Sequence, residues 1–529
     1  MRRVIVLVPM LAALLAAADT NWQAAGQAWW QQVQYLASDE LEGRNVGSAG
    51  YEKAAAYVAR QFEQAGLKPA GNQNYFQNVA FIETSIDPAH SHLALACGSD
   101  QRAIDVPGEA ELGYSQNSAP HLKAPVVFAG YGLVIPEAHY DDLAGLPVKG
   151  AVVAYLTGGP QSIDGNLRSH YSSTEERWKA LRARGAVGTI AIPDPKTMEI
   201  PWSRGILSWG MPRMSLADPA LQTNAGQLFS AAWDPAKAGD LLTGSGHTFA
   251  EIVDAAHANQ PLPHFPLACS VNADVAISIR TVDSKNVAGV LPGTDPQLAH
   301  EYVVISAHLD HLGVGKPVNG DAIYNGAMDD ASGIASLIEI AESIHTQHLQ
   351  TRRSLLFLAV TGEEKGDLGS AWFAAHPTVH GRLVADLNMD MFLPLFPLHW
   401  LEVQGLNEST LGDDIRAVAE SAGVKVQADK EPNRNRFIRS DQYSFVRKGV
   451  PALAFKFGYL PGDPEEKIFK DWYATRYHGV KDDVSQPVDL AAAAQFNHIL
   501  EQLTLRVSNA DAAPQWKPQS FFRRFEKTE

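Results

Sequence analysis

The stretch Tyr302-Val303-Val304-Ile305-Ser306-Ala307-His308-Leu309-Asp310 decides how this 529-residue chain is read. Tyr302 to Ser306 has the apolar, β-branched texture of a short buried strand, and the chain then delivers a histidine and an aspartate. The texture recurs at Leu355 to Val360, Leu383 to Met389 and Leu453 to Phe457. Between the first two strands, Ile334, Leu337, Ile338, Ala341 and Ile344 fall on one face of a helix, and a second helix runs from Gln442 to Lys448. Strands alternating with helices predict an α/β fold with a mixed, mostly parallel sheet flanked by helices.

In open sheets of this kind ligands bind beyond the carboxyl ends of the strands. His308 and Asp310 follow the first strand, Glu363-Glu364 the second, and Asp390 the third. Asp329-Asp330 leads into the amphipathic helix, and Tyr477-His478 with Asp482 lies in a downstream loop. Single pairs of this type carry nothing. Glu-Glu recurs at 175–176 and 465–466, and His139-Tyr140-Asp141 repeats the His-x-Asp spacing. Position distinguishes the strand-end set, since acids beside buried strands are costly unless paired or metal-bound. Two histidines and three carboxylates without cysteine form a nitrogen and oxygen set that suits Zn²⁺, with Co²⁺ or Mn²⁺ as substitutes. Five ligands exceed the three that one catalytic zinc takes, so two ions sharing a carboxylate fit the count.

The rest of the chain frames this region. Met1-Arg2-Arg3, the apolar run Val4 to Ala18 and its small-residue end read as a signal peptide over 1–18, which predicts an exported protein, periplasmic or extracellular. No later run is long and apolar enough to predict a membrane span once that segment is removed. Trp22 to Leu36 and Ala49 to Ala65 are helical patterns, the second stopped by Gly66, within an amino-terminal helical part over 19–85. Residues 86–275 change to short strands broken by Gly and Pro and read as an inserted mostly-β domain. The catalytic domain is placed at 276–508, and the polar stretch 509–529 reads as a surface tail. The net charge of −16 argues against a nucleic-acid partner, which needs a basic footprint. The two cysteines rule out a disulfide-dense scaffold and a cysteine-ligated zinc module. Export favours a bridge between Cys97 and Cys269, whose long loop adds up to about 5 kcal/mol of stability.

Five motifs together resemble the secreted dizinc aminopeptidases, of the clan that also holds glutamate carboxypeptidase and the transferrin receptor. They are His308-x-Asp310, Gly326-Ala327-Met328-Asp329-Asp330-Ala331-Ser332-Gly333, Glu363-Glu364, Asn388-Met389-Asp390 and Tyr477-His478, in family order across about 280 to 505. The insert resembles a protease-associated domain through Phe128-Ala129-Gly130-Tyr131-Gly132 and Val148-Lys149-Gly150, and Leu41-Glu42-Gly43-Arg44 resembles the family's lead-in. The resemblance implies that Asp329 bridges two Zn²⁺ ions. Glu364 and His478 complete one site, and His308 and Asp390 the other. It further implies that the Asp310 carboxylate orients the His308 ring, that Asp482 does the same for His478, and that Asp329–Asp330 is a cis peptide. Glu363 is the expected general base, and Tyr477 an expected hydrogen-bond donor to the oxyanion. Gln442 stands where the family motif after Ser440-Asp441 has histidine, so Asp441 is expected only to cap the following helix.

The implied activity is removal of amino-terminal residues from peptide or protein substrates. Arg434, Arg436 and Arg439 keep a carboxypeptidase open, glutaminyl cyclase is a third possibility, and a non-catalytic binding protein on the same fold is a fourth. Composition and motifs are silent on oligomeric state.

Overall fold

The computed structural model describes residues 21–198, 200–434 and 436–526. The expected signal segment, 1–18, lies outside the described residues. Two helices open the chain, Trp22–Leu36 and Ala49–Gln64. Asn21 and Ser48 cap them by accepting from the backbone N–H groups of Ala24 and Tyr51. Trp29 is fully buried, and its indole N–H reaches both Ser332 O and Ser336 Oγ at 3.1 Å. That contact fixes the first helix on the helix Ser332–Thr346, which follows the Asp329 loop.

The main sheet has ten strands and is parallel at its centre. Glu301–His308 lies between Ser354–Val360 and Arg382–Asn388, with Ala452–Gly458 next in the same direction. Every residue of Ser354–Val360 is buried, as a strand covered on both faces requires. Antiparallel ladders flank this parallel centre, and Trp400–Gln404 pairs in parallel with the edge strand Lys425–Ala428. Trp400–Gln404 runs against Ala452–Gly458 on one side, and Ile277–Leu291 against both Ser354–Val360 and Phe76–Ile86 on the other. The sheet is therefore mixed, and its parallel part is the part that carries the site.

Two expectations need correction. Phe76–Ile86, placed within a helical lead-in, is an eleven-residue strand. It pairs in unbroken register with 277–287, a partner too distant in sequence to be seen in a local pattern. The expected surface tail 509–529 is partly core. Trp516 and Phe522 are buried with Phe437, Tyr443 and Val446, and Trp516 Nε1 donates to Gly449 O at 2.9 Å. Aromatic burial there outweighs the polar composition.

A second sheet of eight strands is built from residues between His92 and Asp274. The helix Thr174–Ala183 seats Trp178 and Leu181 against Val127 and Val153 of this sheet. Cys97 and Cys269 lie opposite each other in neighbouring antiparallel strands and form a disulfide. One strand from this stretch leaves it: Arg213–Leu216 pairs with Phe76–Ile86 at the edge of the main sheet. Among the described residues no helix is long and apolar enough to cross a membrane.

Candidate metal centre

His308 is the last residue of the strand Glu301–His308 and is fully buried. Its Nδ1 lies 3.0 Å from the backbone carbonyl of Asp310. Nε2 faces Asp329 Oδ1 at 3.1 Å, Asp390 Oδ1 at 3.7 Å and Glu363 Oε2 at 3.9 Å. The ring is thus oriented by a main-chain carbonyl, which corrects the role given to the Asp310 carboxylate. That carboxylate accepts from the N–H groups of Glu363 (3.1 Å) and Glu364 (3.3 Å). These two donors follow a buried strand end and would otherwise lack partners, which is a costly state for backbone groups. Asp310 therefore positions the two glutamates.

Asp329 lies between the two halves of the site. Its Oδ1 faces His308, and its Oδ2 lies 3.4 Å from His478 Nε2. Glu364 Oε2 is 3.2 Å from that same nitrogen. The peptide Asp329–Asp330 is cis. Asp330 Oδ1 accepts from Gly333 N (2.9 Å) and Met391 N (3.2 Å), so the loop and the segment after Asp390 are held together. A Cβ at Gly333 would lie 2.2 Å from Met389 O, which explains the glycine. Asp482 does not reach the His478 ring as expected. Its carboxylate accepts from Met328 N (2.9 Å) and Asp329 N (3.0 Å), and so supports the bridging residue instead. Tyr477 stacks on His478 with ring centroids 4.0 Å apart.

His311 and Lys456 join the site without having been singled out in the sequence. His311 is fully buried, with Nδ1 2.6 Å from Glu364 Oε1. Its signal was its place directly after His308-x-Asp310. Lys456 is buried in the strand Ala452–Gly458 and donates to Asp390 O at 2.6 Å. Arg44, from the Leu41-Glu42-Gly43-Arg44 motif, is fully buried in left-handed backbone (φ 50°). It donates to the carbonyls of Leu309 (2.9 Å), Asn325 (2.7 Å), Gly326 (3.0 Å) and Leu36. One guanidinium therefore joins the lead-in to two of the segments that carry site residues. Gln442, in place of the family histidine, accepts from Asn388 Nδ2 at 2.8 Å and donates to Phe437 O at 2.9 Å. Asp441 does not cap its helix as expected, and neither of its buried carboxylate oxygens has a hydrogen-bond partner.

Electrostatics follow from this crowding. Burial, reinforced by Asp367 and Asp390 and opposed by His308, pushes the Glu363 carboxyl well above the usual range. Burial would also raise Glu364, yet the charges of His478 and His311 carry it well below that range. Burial lowers the Arg44 guanidinium to about 10 against the pull of Asp310, Asp482, Asp330 and Asp329.

The residues fit a metal centre. His308 Nε2, Asp329 Oδ2, Glu364 Oε1 and Asp390 Oδ1 are buried without hydrogen-bond partners among the described residues, although they lie within ångströms of one another. Buried polar atoms are normally paired, so four such atoms aimed inward need a ligand of their own. Among the described residues two groups meet the spacing for an ion, His308 with Asp329 and Asp390, and His311 with Asp329 and Glu364, with Asp329 common to both.

Comparison with known proteins agrees with this geometry. Residues 286–504 match the model of peptidase family M28. A probable zinc metalloprotease from Pyricularia oryzae is 38% identical over 94 residues, a match that covers 18% of this chain and 18% of that protein's length. The solved aminopeptidase from Aneurinibacillus sp. strain AM-1 superimposes with a TM-score of 0.56 at 20% identity, over 94% of this chain and 97% of that one, and so shares the fold. A zinc aminopeptidase from Bacillus subtilis aligns over 92% of this chain and 95% of its own, at 17% identity and a TM-score of 0.49.

Proposed function

We propose, on the match of residues 286–504 to the model of peptidase family M28, that the protein is an exported dizinc aminopeptidase that removes amino-terminal residues from peptides. The observation that carries the proposal is Asp329, whose two oxygens face His308 on one side and His478 on the other. In this reading His308 and Asp390 hold one zinc ion, Glu364 and His478 the other, and Asp329 both. Bound zinc supplies Lewis acidity towards the scissile carbonyl and eases deprotonation of the attacking water.

Glu363 removes the proton from that water and hands it to the leaving amine. Its backbone is fixed by Asp310, and its carboxylate stands beside His308 at 3.9 Å rather than in closest contact. The raised proton affinity that burial gives it suits a base that must hold a proton between two steps. The Tyr477 hydroxyl is assigned to the developing oxyanion. Asp367 and Asp441 lie close enough to the ligand Asp390 to interact with it electrostatically, and burial raises both carboxyls, Asp367 to about 7, a penalty that a substrate ammonium group beside them would offset. For a carboxypeptidase, by contrast, the candidate arginines are already committed: Arg434 and Arg436 each pair with Glu431 at 2.9 Å, and Arg439 donates to Arg434 O at 3.3 Å. The residues between His92 and Asp274 are assigned as a protease-associated domain on the resemblance of their motifs.

The test uses purified protein with amino-acyl and carboxy-terminal chromogenic peptides, with chelator and after zinc is restored. Zinc-dependent release of the amino-terminal residue is expected. Turnover of carboxy-terminal substrates alone, or cyclisation of amino-terminal glutamine without hydrolysis, overturns the aminopeptidase reading.

A further inference from the structure

Four of the five protein ligands divide two and two around the shared Asp329, and a sixth candidate lies beside them. His311 is fully buried, and neither of its ring nitrogens has a hydrogen-bond partner among the described residues. Histidines elsewhere in the chain contrast with it. His170 meets the Tyr443 hydroxyl at 2.7 Å, His257 meets Asp194 at 2.8 Å, and His264 meets Asp142 at 3.0 Å. Nδ1 of His311 approaches Glu364 Oε1 to 2.6 Å, yet both atoms lack hydrogen-bond alignment. Two donor atoms side by side and unaligned are the arrangement of two ligands converging on one ion.

The ring is also built into place. Gly326 has φ +62°, and a Cβ there would lie 2.5 Å from His311 Cγ, so the loop presses flat on the imidazole. The Arg44 carbonyl accepts from His311 N at 3.3 Å, and the Arg44 guanidinium holds Leu309 and Gly326 on either side. On the far side of Glu364, Oε2 faces His478, so each oxygen of this carboxylate has its own imidazole. The two rings stand 6.1 Å apart, near-perpendicular.

We propose that His311 is a fourth protein ligand to the ion held by Asp329, Glu364 and His478, which closes that ion's coordination shell and leaves the open position on the ion held by His308, Asp329 and Asp390. The inference rests on the dinuclear reading above. Zinc sites with four protein ligands are structural in type, whereas three leave a position for water. The open position falls on the side where Glu363 lies beside His308, so base and substrate position coincide. The centre then contains one anchoring ion and one reacting ion.

The test is zinc titration of the metal-free protein against a competing fluorescent chelator, with folding followed by circular dichroism and no peptide present. The parent should bind two ions. His311→Ala should weaken one of the two by more than about 100-fold and leave the other at its parent value, since loss of a merely orienting partner costs only about 10–100-fold. His311→Gln, whose amide could hydrogen-bond Glu364, should not restore the affinity. Restoration by Gln, unchanged affinity at both sites in His311→Ala, or equal weakening of both sites would overturn the proposal. A parent that binds a single ion would overturn it together with the dinuclear reading, while two parent ions unaffected by His311→Ala would overturn this inference alone.

Discussion

Replacement of Arg44 by methionine tests how much of the site depends on one buried guanidinium. Arg44 supplies hydrogen bonds to the carbonyls of Leu36, Leu309, Asn325 and Gly326. Gly326 O also accepts from Ala331 N at 3.2 Å, so its loss is partial. Leu36 O, Leu309 O and Asn325 O are left buried without a donor among the described residues, at about 1–3 kcal/mol each, which gives about 3–9 kcal/mol from these three groups. Asp310, Asp329, Asp330 and Asp482 lose a nearby cation at the same time. A native domain has only about 5–15 kcal/mol in total, so Arg44→Met should stand at the edge of folding. Arg44→Lys keeps the charge, but its protons leave one point and cannot span three segments, so an intermediate loss is expected. The assay is urea unfolding of the metal-free protein, followed by tryptophan fluorescence. If Arg44→Lys and Arg44→Met both unfold within about 0.5 kcal/mol of the parent, the guanidinium does not hold these segments together.

Other expectations follow from single contacts. Glu363→Gln should retain zinc and fold while turnover falls by about 10²–10⁴, and full activity in that variant would remove Glu363 from the mechanism. Asp310→Asn turns one acceptor oxygen into an N–H₂ group facing the N–H of Glu363 or Glu364. It should cost about 1–3 kcal/mol of stability and lower turnover, which unchanged unfolding and kinetics would contradict. Asp386 is fully buried, and burial raises its carboxyl to about 8 despite the Ser306 hydrogen bond. Between about pH 4 and 8 the folded state therefore holds the extra proton, and stability falls as pH rises, by up to about 1.4 kcal/mol per pH unit. Asp386→Asn should lack that decline, so its unfolding midpoint relative to the parent should climb from pH 5 to pH 8. Parallel pH curves would refute the assignment.

The helix Trp22–Leu36 and the buried strands around His308, Glu363 and Asp390 were legible because their periodicity is local. The grouping of His308, Asp329 and Asp390 was legible because parallel strands bring their ends together. What could not be read depended on partners remote in sequence. Phe76–Ile86 becomes a strand through 277–287, and the Asp482 carboxylate supports Met328 and Asp329 from across the site. Asp310 illustrates a subtler loss: its backbone and side chain serve different partners, and a motif records only the residue. Arg44 was visible as part of a motif, but nothing in its neighbours announced four carbonyls, three of them from two distant segments. The end of the chain was misread because composition averages over a stretch, whereas burial selects Trp516 and Phe522 individually.

The strand Arg213–Leu216 limits how freely the architecture can be edited. Residues between His92 and Asp274 build a sheet of their own, which would make them look like a cassette suited to excision or transplantation. This strand is an exception, since it completes the outer margin of the main sheet against Phe76–Ile86. A shortened protein that joined the flanks directly would expose that margin along 81–84, where unpaired amides and carbonyls form a template for association with other chains. Grafting the segment onto another scaffold would carry the opposite defect, a strand exported without its mate. The two parts are interlaced, and any redesign that exchanges one must rebuild the seam in the other.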